Sequence, residues 1–537
     1  MTNLGTNRRG GVFALSAILS LFCLLLIADG VQGQDRTVRP RTGGVLKIKA
    51  YGSSLKTDLD PAGKGYPLVI ENLYEGLLRL DRDTEITPGL AEYWVIDNGG
   101  RRTIFYLRNK ATFHNGQPVT AADVKYSLER LFRLKTNPYF YTFAQRIEGG
   151  EEFWQGRASE VSGLKIIDET TIEIDWKYAS VANLYFLAAN FAKVLPRQLV
   201  EKDKKKFFDR PAGAGPFKFN YWLRDSKLNI IGISLTRNDQ YFGRKPYING
   251  IEVSPYFLLE GFFRDEVQIV PYLSYRISRD RYQVLESNSL QVSYLFFSCH
   301  LPPFDQPEVR SLLGRLVEKS KLAALVSSPA YFAQVLDDYI PPYLPGFLPS
   351  PPPEELSFGR LSERLAAHGL GRSDQALTVN LYCELSGQEQ AEKLFSELKN
   401  ELRPAGLNLQ LKLIKSLDEI KTARTPYLVY FDWSMPVPDP EFLLYPLFYS
   451  RSYLNSNYFQ YKQEQLDNWL DEQRNTSLLE RRVKLFRQME ELLRNEVPAI
   501  PLYYFKQRTA YQPYIKNLRP QPAGLFYLNL KDAWIDQ

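Results

Sequence analysis

Residues 433–440 read Trp-Ser-Met-Pro-Val-Pro-Asp-Pro. Pro436, Pro438 and Pro440 each fix φ and remove a backbone donor, so no sheet continues through them. A rigid loop carrying one acid can do two kinds of work. Asp439 can pair with a cationic group on a ligand, or it can cap the helix that follows, with Pro440 at the first helical position. The cap is the simpler reading. Elsewhere the sequence offers little catalytic chemistry. His114, His300 and His368 stand far apart, without HExxH or HxH spacing, so no metal site is expected. There is no GxSxG elbow, P-loop or dinucleotide fingerprint. Gly213-Ala214-Gly215 lacks a third glycine and leads into β-forming residues, which argues against a phosphate cradle. The expectation is a protein that is not an enzyme and takes no cofactor. Of three cysteines, Cys23 lies in an apolar leader; Cys299 and Cys383 read as buried free thiols rather than a disulfide.

The loop takes its position from a periodic stretch upstream. Leu377, Val379 and Leu381 alternate as a strand, followed by the loop 383–387. Ala391, Leu394, Phe395, Leu398 and Leu402 then fall on one helical face, Pro404-Ala405-Gly406 ends the helix, and Leu407, Leu409, Leu411 and Leu413 alternate again. This is a βαβ unit with parallel strands. "YLVYFDW" (427–433) adds a strand, so the proline loop leaves its carboxyl end, where ligands of α/β sheets bind. On that argument the candidate ligand-binding residues are Trp433, Ser434, Met435 and Asp439. Glu384 and Ser386 lie on the same rim, and Ser53 and Ser54 follow the first strand of the chain.

Other signals organise the remainder. Asn98-Gly99 between apolar runs predicts a hairpin turn. Thr120 with Asp123 predicts a helix start, and "PEVRSLLGRLVEKSKLAALV" (307–326) predicts a helix. Ser477 with Glu480 predicts the start of a last helix, with Leu479, Val483, Phe486 and Leu493 on one stripe. The proline-rich segment 341–355 reads as a stiff structural connector. At 537 residues, 44% hydrophobic and 24% charged, two or three structural units are expected. Aromatic residues make up 14%, including 34 Tyr and 32 Phe, which suits a ring-lined cleft. The net charge of +6 is spread without a basic block, which argues against nucleic acid. Arg8 and Arg9, the apolar run 12–28 and small residues to Gly33 have the order of a secretory signal over residues 1–33, or of an uncleaved anchor.

Several stretches resemble the family 5 extracellular solute-binding proteins, the peptide/nickel-type subunits of ABC importers. They are "YEGLLRLDRDTEITPGLAEYWVIDNGGRRTIFYLRNKATFHNGQPVTAADVKYSLERL", "AGAGPFKF", "LTRNDQYFGRKPYINGIEV", "PPFDQPEVRSLLGRLVEKSKL" and "PDPEFLLYPLF" with the segment after it. The resemblance implies an α/β, two-lobed periplasmic binding protein of type II with mixed sheets. Lobe one would span 44–275 with an extra subdomain at about 73–180, lobe two 276–499, and 500–537 would return to lobe one. It further implies an exported, periplasmic monomer that captures a peptide or peptide-like solute between its lobes and delivers it to membrane permease subunits. In peptide-binding members a W-x-x-D-x-x-D-P loop supplies an aspartate to the ligand's ammonium; here that slot is Pro436. A solute lacking a free amine, and a ligand-sensing module that does not transport, therefore remain alternatives.

Overall fold

Strand β1 (Val45–Lys49) buries Leu46 and Ile48 between more exposed neighbours, the period of two that a pleated strand imposes. A separate antiparallel sheet follows, built from β2 (Ala91–Asp97), β3 (Arg102–Leu107), β4 (Leu164–Asp168) and β5 (Thr171–Asp175) in the order β2-β3-β5-β4. Asn98 and Gly99 turn β2 into β3 with positive φ of 50° and 61°, which is why this dipeptide stands there. Helix α1 (Ala121–Arg133) opens on a reciprocal cap: Thr120 Oγ1 accepts from Asp123 N, and Asp123 Oδ2 accepts from Thr120 N at 3.0 Å. Helices α2 (Pro138–Ala144) and α3 (Ala182–Ala188) complete this subdomain.

The chain then returns to β1 through β6 (Phe217–Arg224), β7 (Ile230–Arg237), β8 (Gly250–Ser254) and β9 (Ile269–Pro271). Two long strands, β10 (Gln283–Phe297) and β15 (Ala499–Tyr511), lie antiparallel to each other. Between them in sequence come β11 (Tyr331–Val335), β12 (Leu377–Glu384), helix α4 (Gln388–Leu402), β13 (Leu407–Ile414) and β14 (Tyr427–Ser434). Helices α5 (Glu441–Phe448), α6 (Glu464–Arg474) and α7 (Leu479–Glu496) precede β15. The computed structural model describes residues 39–536 apart from 53–54, 82–84, 136–137, 273–276, 350, 352–355, 372–375, 385–387 and 520–527. The expected export segment, Ser53, Ser54 and Ser386 lie outside the described residues.

One eleven-stranded mixed sheet runs β13-β12-β14-β10-β15-β9-β1-β8-β7-β6, with β11 also on β15. β10 and β15 belong to both halves. Residues 283–288 of β10 pair with 506–511 of β15 in the first lobe, and Val292–Phe296 pair with 499–504 in the second. The register shifts between Asn288 and Val292, and again after Ser293, so the shared ladder is interrupted where the lobes meet. β1 and β9 run parallel, as do β12, β13 and β14; both sets direct their carboxyl ends toward this junction.

The cores follow the same division. Leu46, Ile48, Phe217 and Ile251 centre the first lobe, while Leu295, Leu381, Leu394 and Leu398 centre the outer face of the second. A third core starts in the four-stranded subdomain at Phe105, Leu128, Phe143 and Phe186. It continues without a break into Tyr294, Phe296, Phe431, Trp433 and Phe442 of the second lobe. The βαβ unit forms as its periodicity predicts, β12 and β13 being parallel from Leu377↔Leu407 to Glu384↔Ile414. Two helix expectations are corrected. The 307–326 stretch divides into Pro307–Gly314 and Lys319–Val326. α7 begins at Leu479 with Leu478 as an N-cap that makes no side-chain bond, and its buried stripe is Arg482, Leu485, Phe486, Met489, Glu490 and Leu493, leaving Leu479 60% exposed. Cys299 and Cys383 are both free thiols, and burial pushes each up to about 12. Thr120→Ala removes one half of the α1 cap and is expected to lower unfolding free energy by about 1 kcal/mol in urea denaturation.

Candidate functional site

β14 delivers the proline loop to the lobe junction because Leu428–Ser434 pair along β10 from Phe297 to Gln291. The loop is then packed away. Trp433, Met435, Pro436, Val437 and Asp439 are buried, whereas Ser434 is exposed. Trp433 donates its indole N–H to the carbonyl of Phe442 at 2.8 Å, which satisfies its polar atom, and Met435 N donates to Leu290 O at 2.9 Å. From the subdomain, Tyr139 on α2 donates its hydroxyl to Ser434 O at 2.7 Å, with its ring 5.0 Å from that of Trp433. Phe186 on α3 meets Phe442 at 4.5 Å. An aromatic wall from two parts of the chain therefore encloses the loop.

Asp439 does not occupy the capping slot; Pro440 does, and α5 starts at Glu441. Its carboxylate still accepts from Glu441 N at 2.9 Å, so part of the capping function survives one position earlier. Its main partner is Arg482 on α7, which forms a two-pronged pair at 2.9 and 3.0 Å. Arg482 also donates to Gln473 Oε1 at 3.1 Å. Glu441 accepts from Arg474 Nε at 3.0 Å and from Arg146 of the subdomain, and its second oxygen lies 3.6 Å from Arg482. Arg146 donates its Nε to Asn183 Oδ1 at 2.7 Å, and Arg474 lies 3.9 Å from the Tyr445 ring centre and 4.7 Å from that of Tyr178. All five charged residues are 3% exposed or less. Burial pushes the Glu441 carboxyl up, but the guanidiniums of Arg146, Arg474 and Arg482 overcome it and hold it at about 2.

The expected site residues thus divide. Trp433, Ser434, Met435 and Asp439 share one loop. The Glu384 end of β12 lies on the same sheet rim, because β12 runs parallel to β14. Asp439 is occupied internally by Arg482, and Pro436 is buried in the loop. On the opposite face of β14, exposed Asp432 accepts from Tyr430 Oη at 2.8 Å and from the Ser293 hydroxyl. Sequence reasoning missed Tyr139 and the arginine partners. A local signal for Arg482 existed: it sits three residues after Leu479 and four before Phe486, inside a stripe otherwise read as apolar. Among the described residues no cluster of ligating side chains could hold a metal ion, and no helix is long and apolar enough to cross a membrane.

Asp439→Asn leaves Arg482 facing a neutral group and is expected to cost roughly 3–5 kcal/mol of stability, read as a large fall in melting temperature. Because the Glu441 carboxyl is depressed below its ordinary 4.5, its contribution is complete above that pH and lost as pH falls toward about 2. Unfolding free energy measured across that window should fall for the native chain, and the slope should flatten in Glu441→Gln.

A family model described as bacterial extracellular solute-binding proteins, family 5 Middle, matches residues 85–455. Among curated relatives, the dipeptide-binding protein DppE of Bacillus subtilis is 25% identical over 538 residues, covering 93% of each chain. Heme-binding protein A of Haemophilus influenzae is 24% identical, covering 86% of this chain and 87% of the relative. Among solved structures, HbpA2 of Haemophilus parasuis superposes with a TM-score of 0.74 at 18% identity, over 92% of this chain and all (100%) of that one. The periplasmic binding protein DppA of Helicobacter pylori, in complex with the peptide STSA, gives 0.71 at 19% identity over 93% and 99%. The fold is that of the two-lobed, type II periplasmic binding proteins, an α/β architecture with mixed sheets. The chain belongs to family 5 of the bacterial extracellular solute-binding proteins.

Proposed function

We propose that the chain is an exported receptor that closes its two lobes on a peptide-like solute and presents it to the permease subunits of an ABC importer. It acts by binding rather than turnover, as a periplasmic monomer. The observation that carries this reading is the junction itself. Two long strands are shared by both lobes, their ladder is interrupted between Asn288 and Val292, and the carboxyl ends of β1, β9 and β14 point at that break. The proposed bodies follow the expected division, 44–275 with 500–537 and 276–499, except that residues 283–288 of β10 go with lobe one, 499–504 of β15 go with lobe two, and the subdomain at about 73–180 moves with lobe two, whose core it shares. Trp433, Ser434 and Met435 form the second lobe's rim of the site, next to the Glu384 end of the parallel strand β12; Ser386, Ser53 and Ser54 are proposed members from their places in the sequence alone.

The proline at 436 favours a particular version of this function. The one acid of this buried loop is already paired with Arg482, so Asp439 does not take the role of the amine-pairing aspartate. The ligand is then held by backbone and ring contacts rather than by its ammonium. The test is a thermal-shift panel of short peptides, their N-acetylated forms, sugars and metal chelates, with native mass spectrometry of gently purified protein. Peptides are expected to stabilise the chain, and N-acetylation to change affinity by less than about ten-fold, since the charge-assisted bond it would remove is absent. A panel and a mass spectrum without any ligand would overturn the receptor reading.

A further inference from the structure

The first lobe holds a cavity of about 50 Å³ at the carboxyl ends of β1 and β9, lined chiefly by Ile48, Ala50, Tyr66, Leu68, Ile269 and Thr509. A single water needs roughly 10–15 Å³, so the space admits a group of about three or four carbons. The polar side chains around it are turned to other work. Tyr51 donates its hydroxyl to Arg508 O at 2.7 Å, and Lys49 donates its ammonium to the carbonyls of Pro255 and Phe257 at 2.5 and 2.7 Å. What remains is an apolar wall at the end of two parallel strands, on the side of the lobe that faces the interrupted β10–β15 ladder. A cavity of this composition excludes charge and holds water poorly, so it gains most from a hydrocarbon group. Its walls come from β1, β9, β15 and the segment at Tyr66–Leu68, which are fixed by the first-lobe core.

We propose that this cavity is a side-chain subsite that selects a small branched aliphatic residue of the bound solute, valine or leucine in size. This rests on the receptor reading above and adds its selectivity: the first lobe chooses the residue, while the rim at Ser434 leaves the ligand ammonium unread. The cavity is preformed, so the preference follows from apolar area removed from water rather than from new polar contacts.

The test is calorimetric titration of the full chain with Ala-Ala-Ala and the three tripeptides carrying one valine. Valine at one position, and only one, is expected to tighten binding by about ten-fold. Ala50→Leu fills the cavity and should reduce that preference below about two-fold, a size consistent with losing the buried methyl groups. Leu68→Ala enlarges the cavity and should move the preference from valine to leucine or phenylalanine, which keeps the test decisive if Ala50→Leu does not fold. Equal affinity of the native chain for all four tripeptides overturns the subsite and leaves the receptor reading standing, as does a valine preference that survives in both variants. Binding of none of the four overturns the peptide reading itself.

Discussion

The structure around the proline loop depends on one compensation of charge. Asp439 and Glu441 sit two residues apart at the start of α5, and both are sealed from water. Each buried ion costs several kcal/mol in lost hydration, so neither acid is tolerable without its cations. Arg482 reaches both of them, Arg474 arrives from the end of α6, and Arg146 comes from the distant subdomain. Three guanidiniums face two carboxylates, and the rings of Tyr178 and Tyr445 flank Arg474, so the surplus positive charge meets π-electron density. The loop is rigid for two reasons that act together: prolines restrict its backbone, and the ion cluster fixes its far end.

The same cluster explains how the four-stranded subdomain relates to the second lobe. Tyr139, Arg146 and Phe186 meet Ser434, Glu441 and Phe442 in turn, one contact polar, one ionic and one aromatic. The hydrophobic core is continuous beneath them. The first-lobe core around Leu46 and Phe217 is separate. The ladder between the two shared strands is interrupted between Asn288 and Val292 of β10, while β11 pairs with β15 across the same stretch from Tyr331↔Gln507 to Val335↔Tyr503.

Much of this was legible in the sequence because it is local. The βαβ unit, the Asn98-Gly99 turn and the Thr120–Asp123 cap follow from period, turn chemistry and spacing of a few residues. The position of Trp433 at a strand's carboxyl end followed from the same counting. What was not legible is set by contacts between distant residues. Arg146 and Glu441 are separated by 295 positions, and nothing in either neighbourhood announces the other. The rotation of α7 shows the same limit. Arg482 must face Asp439, and Glu490 must face the amides of Tyr339 and Ile340, from which it accepts at 2.8 and 2.7 Å. These two polar obligations turn Leu479 outward, so a stripe read from hydrophobicity alone comes out misphased. The family loop pattern singled out this segment, but not that its acid at 439 is held by a cation on another helix.

The two thiols give lobe two an intrinsic reporter. Cys299 and Cys383 pack in or against the core of Leu381 and Leu394, and with their pKa values near 12 almost none of either sulfur is thiolate at neutral pH. Cys383 is also sealed from solvent, so its alkylation in the native chain has to wait for that core to open. The rate at Cys383 measures how often the core around Leu381 and Leu394 opens.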